Sequence, residues 1–563
     1  MLSTTNILKI SITSVFSIVF YFTGNYLHNS GNRIDFKSVK DLVEVDAQST
    51  AILDEKPFVI DVNVGLGRFT NGIGADFPNT ESSLEHLDKE GVGTAVIYSV
   101  LSRESDAEEG NAIVMEEYEN HPELIPSSVI NPYETNLEEA LADMDKYNIQ
   151  IVRLFPVVGH YSVYPSIIGP VVSKLQEANK ILFIDFEAGH WSSDAINYDG
   201  VFQLSQAYPE IPIVLIGPTI TGTRNYVNLL RECENVYLEI SQMFQPEEVY
   251  RLVKKGYGKR LIFGSDFPIR KPGALINMLL NSGLSQDELN NIFSQNILNL
   301  LEKPSASKSF SMPDFEDEKI IDLHVHQGKI NPTVTGTEKA EDIVRNMDRC
   351  GITAGIVTSM WSIHGDVARG NKAVSEACAA YPDRLYGYIT LDPKYPEEVK
   401  SQLELYGDNP SFRGIKLHAI QGVDISDPRH DIIFSFADKK GWVLLCHASN
   451  DYRKWDKICA NYRNANFLIA HSGTGDPKVH SVLQLAELTK KHKNLYFDTA
   501  GSGMPPMALE RLVEVAGVDH VTYGSDYPMF DFSYETGRIL YSSLTKKEKN
   551  AILYENGRKL LGL

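Results

Sequence analysis

The chain has 563 residues, too many for one hydrophobic core, so two or more domains are expected. Apolar residues make up 43% and charged residues 23%, which is the composition of an ordinary globular protein. The net charge of −21, without a basic stripe, argues against a nucleic-acid-binding protein, because phosphate binding depends on clustered lysine and arginine.

The first thirty residues form a distinct apolar segment. No charged residue occurs between Ile10 and Leu27, and this length suits a membrane-spanning helix or the apolar part of a signal peptide. Gly24-Asn25-Tyr26 is a poor cleavage site, which favours an uncleaved N-terminal anchor over a cleaved signal and a secreted protein. The side of the membrane is left open, because basic residues flank the segment at both ends.

Short β-branched runs alternate with longer amphipathic stretches through the rest of the chain. In the first half they predict strands at 58–64, 94–100, 125–131, 150–156, 181–186, 212–216, 235–240 and 260–266. In the second half they predict strands at 319–326, 353–359, 385–391, 413–419, 442–448, 466–471, 494–499 and 520–526. Eight strands alternating with helices over about 245 residues indicate a (β/α)8 barrel. The predicted fold class is therefore α/β, with two tandem TIM-like barrels after an N-terminal apolar helix.

The two halves share motifs in the same order. Ile-Asp-Leu-His-Val-His at 321–326 matches Ile-Asp-Val-Asn-Val-Gly at 60–65, and Gly-Ser-Asp-Tyr-Pro at 524–528 matches Gly-Ser-Asp-Phe-Pro at 264–268. Repetition at this period indicates two whole domains rather than a solenoid. The predicted domains are an anchor or signal peptide at 1–30, a first barrel at 50–303, a linker at 304–317 and a second barrel at 318–563.

Histidines stand at strand ends in the second half. His324 and His326 are two residues apart on a strand, so their side chains share the face that lines the barrel interior at its C-terminal mouth. This spacing alone is a weak signal for a metal site. It is strengthened because His447 ends strand five, His471 ends strand six and Asp526 ends strand eight.

The first half has lost most of these side chains. Asn63, Gly65, Asp185 and Gly217 stand where the second half has histidines, and only Asp266 remains. Glycine offers no side-chain ligand and asparagine is a poor zinc donor. The sequence therefore predicts that the first barrel binds no catalytic metal and stabilises its neighbour.

This series of strand-end residues resembles the amidohydrolase superfamily. Arg-Gly-Ile-Lys-Leu-His at 413–418, the Gly-Ser-Asp-Tyr-Pro motif and the closing Asn-Gly-Arg-Lys-Leu-Leu at 556–561 resemble its amidohydrolase-related branch. That branch includes metal-dependent decarboxylases similar to aminocarboxymuconate semialdehyde decarboxylase, together with lactone and C–C hydrolases. The resemblance covers about 318–563 with all its motifs and about 50–303 in outline.

The resemblance implies a metal centre. By position, His324, His326, His447 and Asp526 are expected to bind one divalent metal, and three nitrogens with one carboxylate suit zinc. Water bound to the metal would attack a carbonyl. His471 is expected to act on that water as a base or electrostatic partner, and Asp526 to pass a proton to the leaving group.

Four further residues are candidates for substrate binding. Lys416 and His418 point inward on strand four. Lys416 could bind a substrate carboxylate, could be a carboxylated lysine that bridges two metals, or could support the barrel floor. Trp361 and Arg369 follow strand two, where loops often contact substrate, although a plain surface loop accounts for them as well.

The five cysteines carry no sign of a disulfide framework. Their number is odd and no CxxC motif occurs, so buried free thiols are predicted at Cys233, Cys350, Cys378, Cys446 and Cys459.

The sequence thus predicts a metal-dependent hydrolase acting on a small carbonyl substrate. A decarboxylase of an enoic or aromatic acid would use the same metal site, and a non-catalytic binding protein is the alternative of another class. The expected partners are a small-molecule substrate and, through the N-terminal segment, a membrane. The oligomeric state is left open.

Overall fold

The computed structural model describes residues 57–186, 196–303, 319–329, 338–447, 450–473, 479–501 and 507–563. The apolar segment 1–30 and the predicted linker 304–317 lie outside these residues, so both stay predictions. Within the described ranges, no helix has the length and apolar character needed to cross a membrane.

The first half of the chain forms an eight-stranded parallel sheet whose strands pair in chain order. Its strands are β1 (Ile60–Leu66), β2 (Thr94–Ser99), β3 (Ile125–Val129), β4 (Ile151–Leu154), β5 (Ile181–Asp185), β6 (Ile213–Ile216), β7 (Val236–Glu239) and β8 (Leu261–Ile262). The backbone N–H of Val62 donates to the carbonyl of Phe263 (3.1 Å), and that of Phe267 donates to Asn63 (3.1 Å). These bonds join β1 to the chain around β8 and close the sheet into a barrel.

The second half repeats this arrangement. Its strands are β9 (Ile320–Gln327), β10 (Ile352–Ser359), β11 (Leu385–Thr390), β12 (Phe412–His418), β13 (Val443–His447), β14 (Asn466–Ile469), β15 (Leu495–Asp498) and β16 (Val521–Thr522). The backbone N–H of Leu323 donates to the carbonyl of Tyr523 (3.0 Å), and that of Asp526 donates to the carbonyl of His324 (2.8 Å). These hydrogen bonds close the second barrel. Every predicted strand is confirmed, although β8 and β16 are shorter than predicted.

Helices connect the strands on the outside of each barrel. In the first barrel the α-helices are Thr80–Lys89, Val100–Glu104, Ala107–Asn120, Leu137–Lys146, Pro165–Glu177, Tyr198–Ala207, Thr223–Glu232, Glu248–Leu252, Pro272–Leu280, Gln286–Asn290 and Asn296–Leu300. In the second they are Ala340–Arg349, Met360–Ile363, Val367–Ala380, Pro396–Tyr406, Asp431–Lys440, Tyr452–Asn461, Val479–Ala486, Ala508–Ala516, Phe532–Leu540, Lys546–Asn550 and Asn556–Leu561.

The helix Ala340–Arg349 shows how these segments pack on the sheet. Ile343, Val344 and Met347 are buried on one side, because residues three and four apart share a helix face. Burial of side chains of this size contributes about 1.5–3 kcal/mol each. The barrel interior is filled in turn by residues such as Tyr388, Leu445 and Leu468. This packed floor leaves the C-terminal ends of the strands as the place for a site.

The two barrels pack through equivalent helices. The helix Pro272–Leu280 of the first barrel is buried along its whole length and lies against Phe532–Leu540 of the second. Asn277 donates its side-chain N–H to the carbonyl of Ser533 (2.6 Å). A side chain in place of Gly537 would come within 2.7 Å of the Asn277 Cβ, so the close approach of the helices requires a glycine there.

Candidate active site

The predicted site residues of the second barrel meet at its C-terminal mouth. His324 and His326 lie on β9, His447 is the last residue of β13, His471 follows β14, and Asp526 follows β16. Because all eight strands are parallel, their carboxyl ends open on one side, and side chains from distant parts of the sequence converge there.

Asp526 stands at the centre of this group. Its Oδ1 lies 2.9 Å from His326 Nε2 and 3.5 Å from His324 Nε2, and its Oδ2 lies 3.9 Å from His471 Nδ1. The possible ligand atoms of His324, His471 and Asp526 all lie within 4.8 Å of one another. His324, His471 and Asp526 are therefore close enough to one another to surround a single ion, and His326 contacts the same carboxylate.

His447 lies at the side of this group rather than within it. Its ring centroid is 4.6 Å from that of His471 and 4.3 Å from that of His418. The compact group thus contains His471, which the family resemblance assigned to the water. His447, which the resemblance assigned to the metal, lies one ring further out. The roles of His447 as a metal ligand and of His471 as the residue that acts on the water stay predictions. Measuring the metal content of the two single alanine variants distinguishes these roles.

Two buried carboxylates at the site were not foreseen. Asp498, the last residue of β15, accepts a hydrogen bond from His324 Nδ1 (2.8 Å), and neither side chain is exposed. Asp322 accepts from the backbone N–H groups of His324 (2.8 Å) and Ser525 (3.1 Å), which ties β9 to the segment that carries Asp526. The signal for Asp498 was its place at a strand end, the same rule that selected the histidines.

The contacts of His324 on both sides place its proton. The Lys416 ammonium, 3.0 Å from His324 Nε2, can only donate to it, so the ring proton stands on Nδ1, where an ionised Asp498 accepts it. A carboxylate behind a ligating histidine is a common device in metal sites, because it orients the ring and raises its basicity. His324 Nε2 is therefore presented in the form that a metal ion would bind.

Burial sets the charges of the site. It lowers the pKa of His324, His326 and His471 well below the usual range, so these imidazoles are neutral at neutral pH. Burial also raises the pKa of Asp526 and lowers that of Lys416. Neutral imidazoles beside a carboxylate form a donor set that fits a divalent cation.

The local backbone is adapted to this crowding. His471 and Asp526 have positive φ angles of 62° and 60°, a conformation that non-glycine residues seldom adopt. A Cβ on Gly524 would lie 2.9 Å from the Cβ of His324, so the motif requires glycine before the serine and aspartate. Asp266 in the first barrel has the same positive φ (65°), which shows that this backbone belongs to the barrel plan and persists without the histidines.

The remaining predicted residues fall into two groups. Lys416 is fully buried at the mouth, and His418 lies beside His447. Trp361 is 42% exposed, and the guanidinium of Arg369 lies 4.4 Å from its ring centre, so these two form a surface pair after β10. The cysteines are free thiols as predicted, with Cys350 partly buried and the others buried.

An arginine fills the corresponding place in the first barrel. Arg153 pairs with Phe183 in the sheet as Lys416 pairs with Leu445, so the two residues hold the same position. It is fully buried, bonds to Asp185 Oδ2 (2.7 Å) and Asn63, and stacks on Tyr98 at 4.2 Å. Its fixed positive charge stands beside the residues that replace the histidines, which supports the prediction of no metal there.

A barrel with neutral imidazoles and a carboxylate at its C-terminal mouth defines a class of metal-dependent TIM-barrel enzymes. The family model described as "Amidohydrolase" matches residues 83–303 and 340–563, which together are more than half of the chain. The chain belongs to this family of enzymes. The model matches twice, once for each barrel, as a tandem duplication predicts.

Several solved structures are similar to part of the chain. They include 5-carboxyvanillate decarboxylase from Sphingomonas paucimobilis (13% identity, TM-score 0.37, 44% of this chain and 100% of that chain). Others are 2,6-dihydroxybenzoate decarboxylase from Rhizobium (13%, 0.35, 44% and 99%) and a manganese complex of 5-carboxyvanillate decarboxylase from Novosphingobium aromaticivorans (15%, 0.37, 44% and 96%). A comparison with curated proteins finds no match.

Proposed function

We propose that the second barrel is a metal-dependent hydrolase that acts on a small carbonyl substrate. The observation that carries this proposal is the contact of one carboxylate, Asp526, with His324, His326 and His471 at the barrel mouth. His324, His326, His447 and Asp526 would hold one divalent ion, and zinc suits three nitrogens and one oxygen. The ion would supply a water of lowered pKa and polarise the substrate carbonyl.

The protein's own groups would move the protons. His471 is neutral, so it can accept a proton from the attacking water, and its Nδ1 lies 3.9 Å from Asp526 Oδ2. Asp526 lies between the histidines and can pass a proton to the leaving group. Asp498 holds the Nδ1 proton of His324 and keeps its ring in place.

The test of this proposal is a reaction screen with the zinc-loaded full chain. Lactones, amides, enoic acids and aromatic acids are incubated in ¹⁸O-labelled water, and label in the product and release of CO₂ are both measured. We expect label in the hydrolysis product without CO₂. The variant with both His324 and His326 replaced by alanine serves as the inactive control, and zinc and manganese content are measured for both proteins.

A decarboxylase is the second candidate, and Lys416 is the observation that favours it. This fully buried cation lies 3.0 Å from His324 Nε2, where it could hold a carboxylate beside the ion. Release of CO₂ from an aromatic or enoic acid in the same screen, without ¹⁸O in the product, would select this function and exclude the hydrolase.

We further propose that the first barrel binds no catalytic metal and acts as a scaffold. Arg153 and its partners occupy the equivalent mouth, and Asp266 there pairs with Arg270. Replacing Asp266 by alanine in the full chain should leave turnover unchanged. A loss of turnover without unfolding would mean that this mouth takes part in the chemistry.

Localisation at a membrane through residues 1–30 also stays a proposal, based on the uncharged segment Ile10–Leu27. Expression of the full chain and of a form without residues 1–30, followed by fractionation, tests it. The full chain should sediment with membranes and the shortened form should not. Equal distribution of the two would contradict the proposal.

A further inference from the structure

An arginine on the helix Phe532–Leu540 holds the chain that follows β15. Its guanidinium nitrogen Nη1 donates to the carbonyls of Thr499 (2.9 Å) and Gly501 and to the carboxyl oxygen Oε2 of Glu535 (2.6 Å). The side chain of this arginine, Arg538, is 12% exposed, and that of Glu535 is fully buried. Hydrogen bonds from a charged donor are stronger than those between neutral groups. Arg538 therefore ties the segment after β15 to the helix after β16.

One of the two carbonyls belongs to a peptide group that also bonds to Asp498. The carbonyl of Thr499 and the N–H of Ala500 are parts of the same trans peptide group, so they point in opposite directions. Arg538 holds the carbonyl, and the N–H donates to Asp498 Oδ1 (3.2 Å). The other oxygen of Asp498, Oδ2, lies 2.8 Å from His324 Nδ1. A continuous series of hydrogen bonds thus runs from Arg538 to His324.

The first barrel has apolar residues in place of this polar pair. Leu275 and Met278 occupy the positions of Glu535 and Arg538 in the equivalent helix, at an offset of 260 residues, and both are buried. The first barrel is therefore packed at this point without a charged side chain. The barrel that lacks the histidines also lacks the pair.

The polar pair is kept at a cost in free energy. Burial raises the pKa of Glu535 to about 8, because its charged form is disfavoured there. Its Oε1 has no hydrogen-bond partner among the residues that the structure describes. Replacement of a buried charged pair by apolar residues of similar volume is often neutral or stabilising. Packing therefore does not account for the pair, whereas its bonds to the segment beside Asp498 indicate a role at the site.

We propose that Arg538 is a positioning residue of the candidate metal site, which acts through the Thr499–Ala500 peptide group to fix the Asp498 carboxylate and, with it, the ring of His324. Without Arg538 this peptide group can turn, and Asp498 Oδ1 loses one of its two backbone donors. The Nδ1 proton of His324 is then held less firmly. This role rests on the proposed function, because the direction of His324 Nε2 has a consequence only where an ion binds to it.

The test gives the second barrel the residues of the first. The double variant E535L/R538M removes the polar pair, and R538M alone is the second loss variant if the double variant does not fold. R538K keeps a cation whose three N–H donors can bond to the same acceptors. The matched control is E555L/R558M, which removes another Glu–Arg pair with the same spacing, 3.2 Å apart and about half exposed.

Two properties of the full chain are measured after the melting temperatures. Zinc affinity is determined by competition with a chromogenic chelator. In the metal-free protein labelled with ¹⁵N-histidine, NMR follows the exchange of the His324 Nδ1 proton with solvent, and H324Q assigns its signal. The second measurement reports on the position of His324 without metal and without turnover.

We expect E535L/R538M to melt at or above the wild-type temperature. It should bind zinc about tenfold more weakly, at the lower end of the range for groups behind a metal ligand, and exchange the Nδ1 proton faster. R538K should lie closer to the wild type in both properties, and E555L/R558M should equal the wild type. Zinc affinity and proton exchange that are both unchanged in folded E535L/R538M would overturn the proposal. Equal losses in E535L/R538M and E555L/R558M, or no recovery in R538K, would also overturn it.

The outcomes separate this inference from the proposed function. If the Nδ1 proton depends on Arg538 but the ¹⁸O screen shows no hydrolysis, the positioning role stands and the hydrolase proposal fails. If hydrolysis occurs while E535L/R538M changes neither zinc affinity nor proton exchange, the hydrolase proposal stands and the positioning role fails.

Discussion

Replacement of Asp498 by asparagine should weaken metal binding to the second barrel. Asp498 Oδ1 accepts from the backbone N–H groups of His471 (2.6 Å) and Ala500 (3.2 Å), and Oδ2 faces His324 Nδ1 at 2.8 Å. In the variant the two backbone donors hold the amide oxygen, so the amide NH₂ must face His324. The imidazole then has to carry its proton on Nε2, which removes the lone pair that a metal would bind.

The expected loss is about 10- to 100-fold in metal affinity, as found for carboxylates behind metal-bound histidines. This corresponds to about 1.4–2.8 kcal/mol at a factor of ten per 1.4 kcal/mol. The same range is expected for a hydrogen bond to a charged group. Zinc affinity of the full chain is measured by competition with a chromogenic chelator at pH 7.5.

Glu239→Gln is the matched control, because Glu239 ends β7 of the first barrel as Asp498 ends β15 of the second. Its carboxylate accepts from the backbone N–H groups of Ser241 (2.6 Å) and Gly217 (2.8 Å), and it bonds to no imidazole among the described residues. This variant should bind zinc like the wild type. Unchanged zinc affinity in a folded Asp498→Asn protein would refute the argument that Asp498 sets the proton position of His324.

Three other predictions follow from the site and the packing. Replacing both His324 and His326 by alanine should remove the bound metal. The His471→Ala variant should keep most of its metal and lose turnover by a factor of about 10²–10⁴, as expected for a lost general base. Loss of metal from His471→Ala would instead make His471 a metal ligand. Gly537→Val should destabilise the protein by about 1–3 kcal/mol, because the added side chain overpacks the contact between the barrels. The effect is measured as a lower melting temperature. An unchanged melting temperature would contradict the close contact of the two helices. Burial lowers the pKa of His520 in the folded protein, so its contribution to the free energy of unfolding is full above the unfolded-state pKa of about 6.5 and is lost as the pH falls below that value, with a slope of at most about 1.4 kcal/mol per pH unit. Denaturant unfolding between pH 5 and 7 should therefore show a weaker pH dependence in His520→Gln than in the wild type. An equal pH dependence in the two proteins would show that this histidine does not contribute.

The sequence alone determined the architecture. Strand order, the repeat of the barrel and the strand-end positions of His324, His447 and Asp526 could be read from alternating β-branched and amphipathic stretches, because these patterns depend on local backbone geometry. The rule that catalytic groups lie at the C-terminal ends of barrel strands then placed the candidate site. The matching family model and the two eight-stranded sheets that the described residues form agree with this interpretation.

Only the tertiary structure decided which side chains meet. His324 and Asp498 are 174 residues apart, and their contact depends on the register and closure of the barrel. The same holds for Arg153, whose position gave no sign that its guanidinium would reach both Asn63 and Asp185. The order of His471 and His447 around Asp526 likewise depends on differences of a few ångströms between strand ends. Local patterns determine which face a side chain occupies, whereas distances across the mouth are set by the packing of the whole barrel.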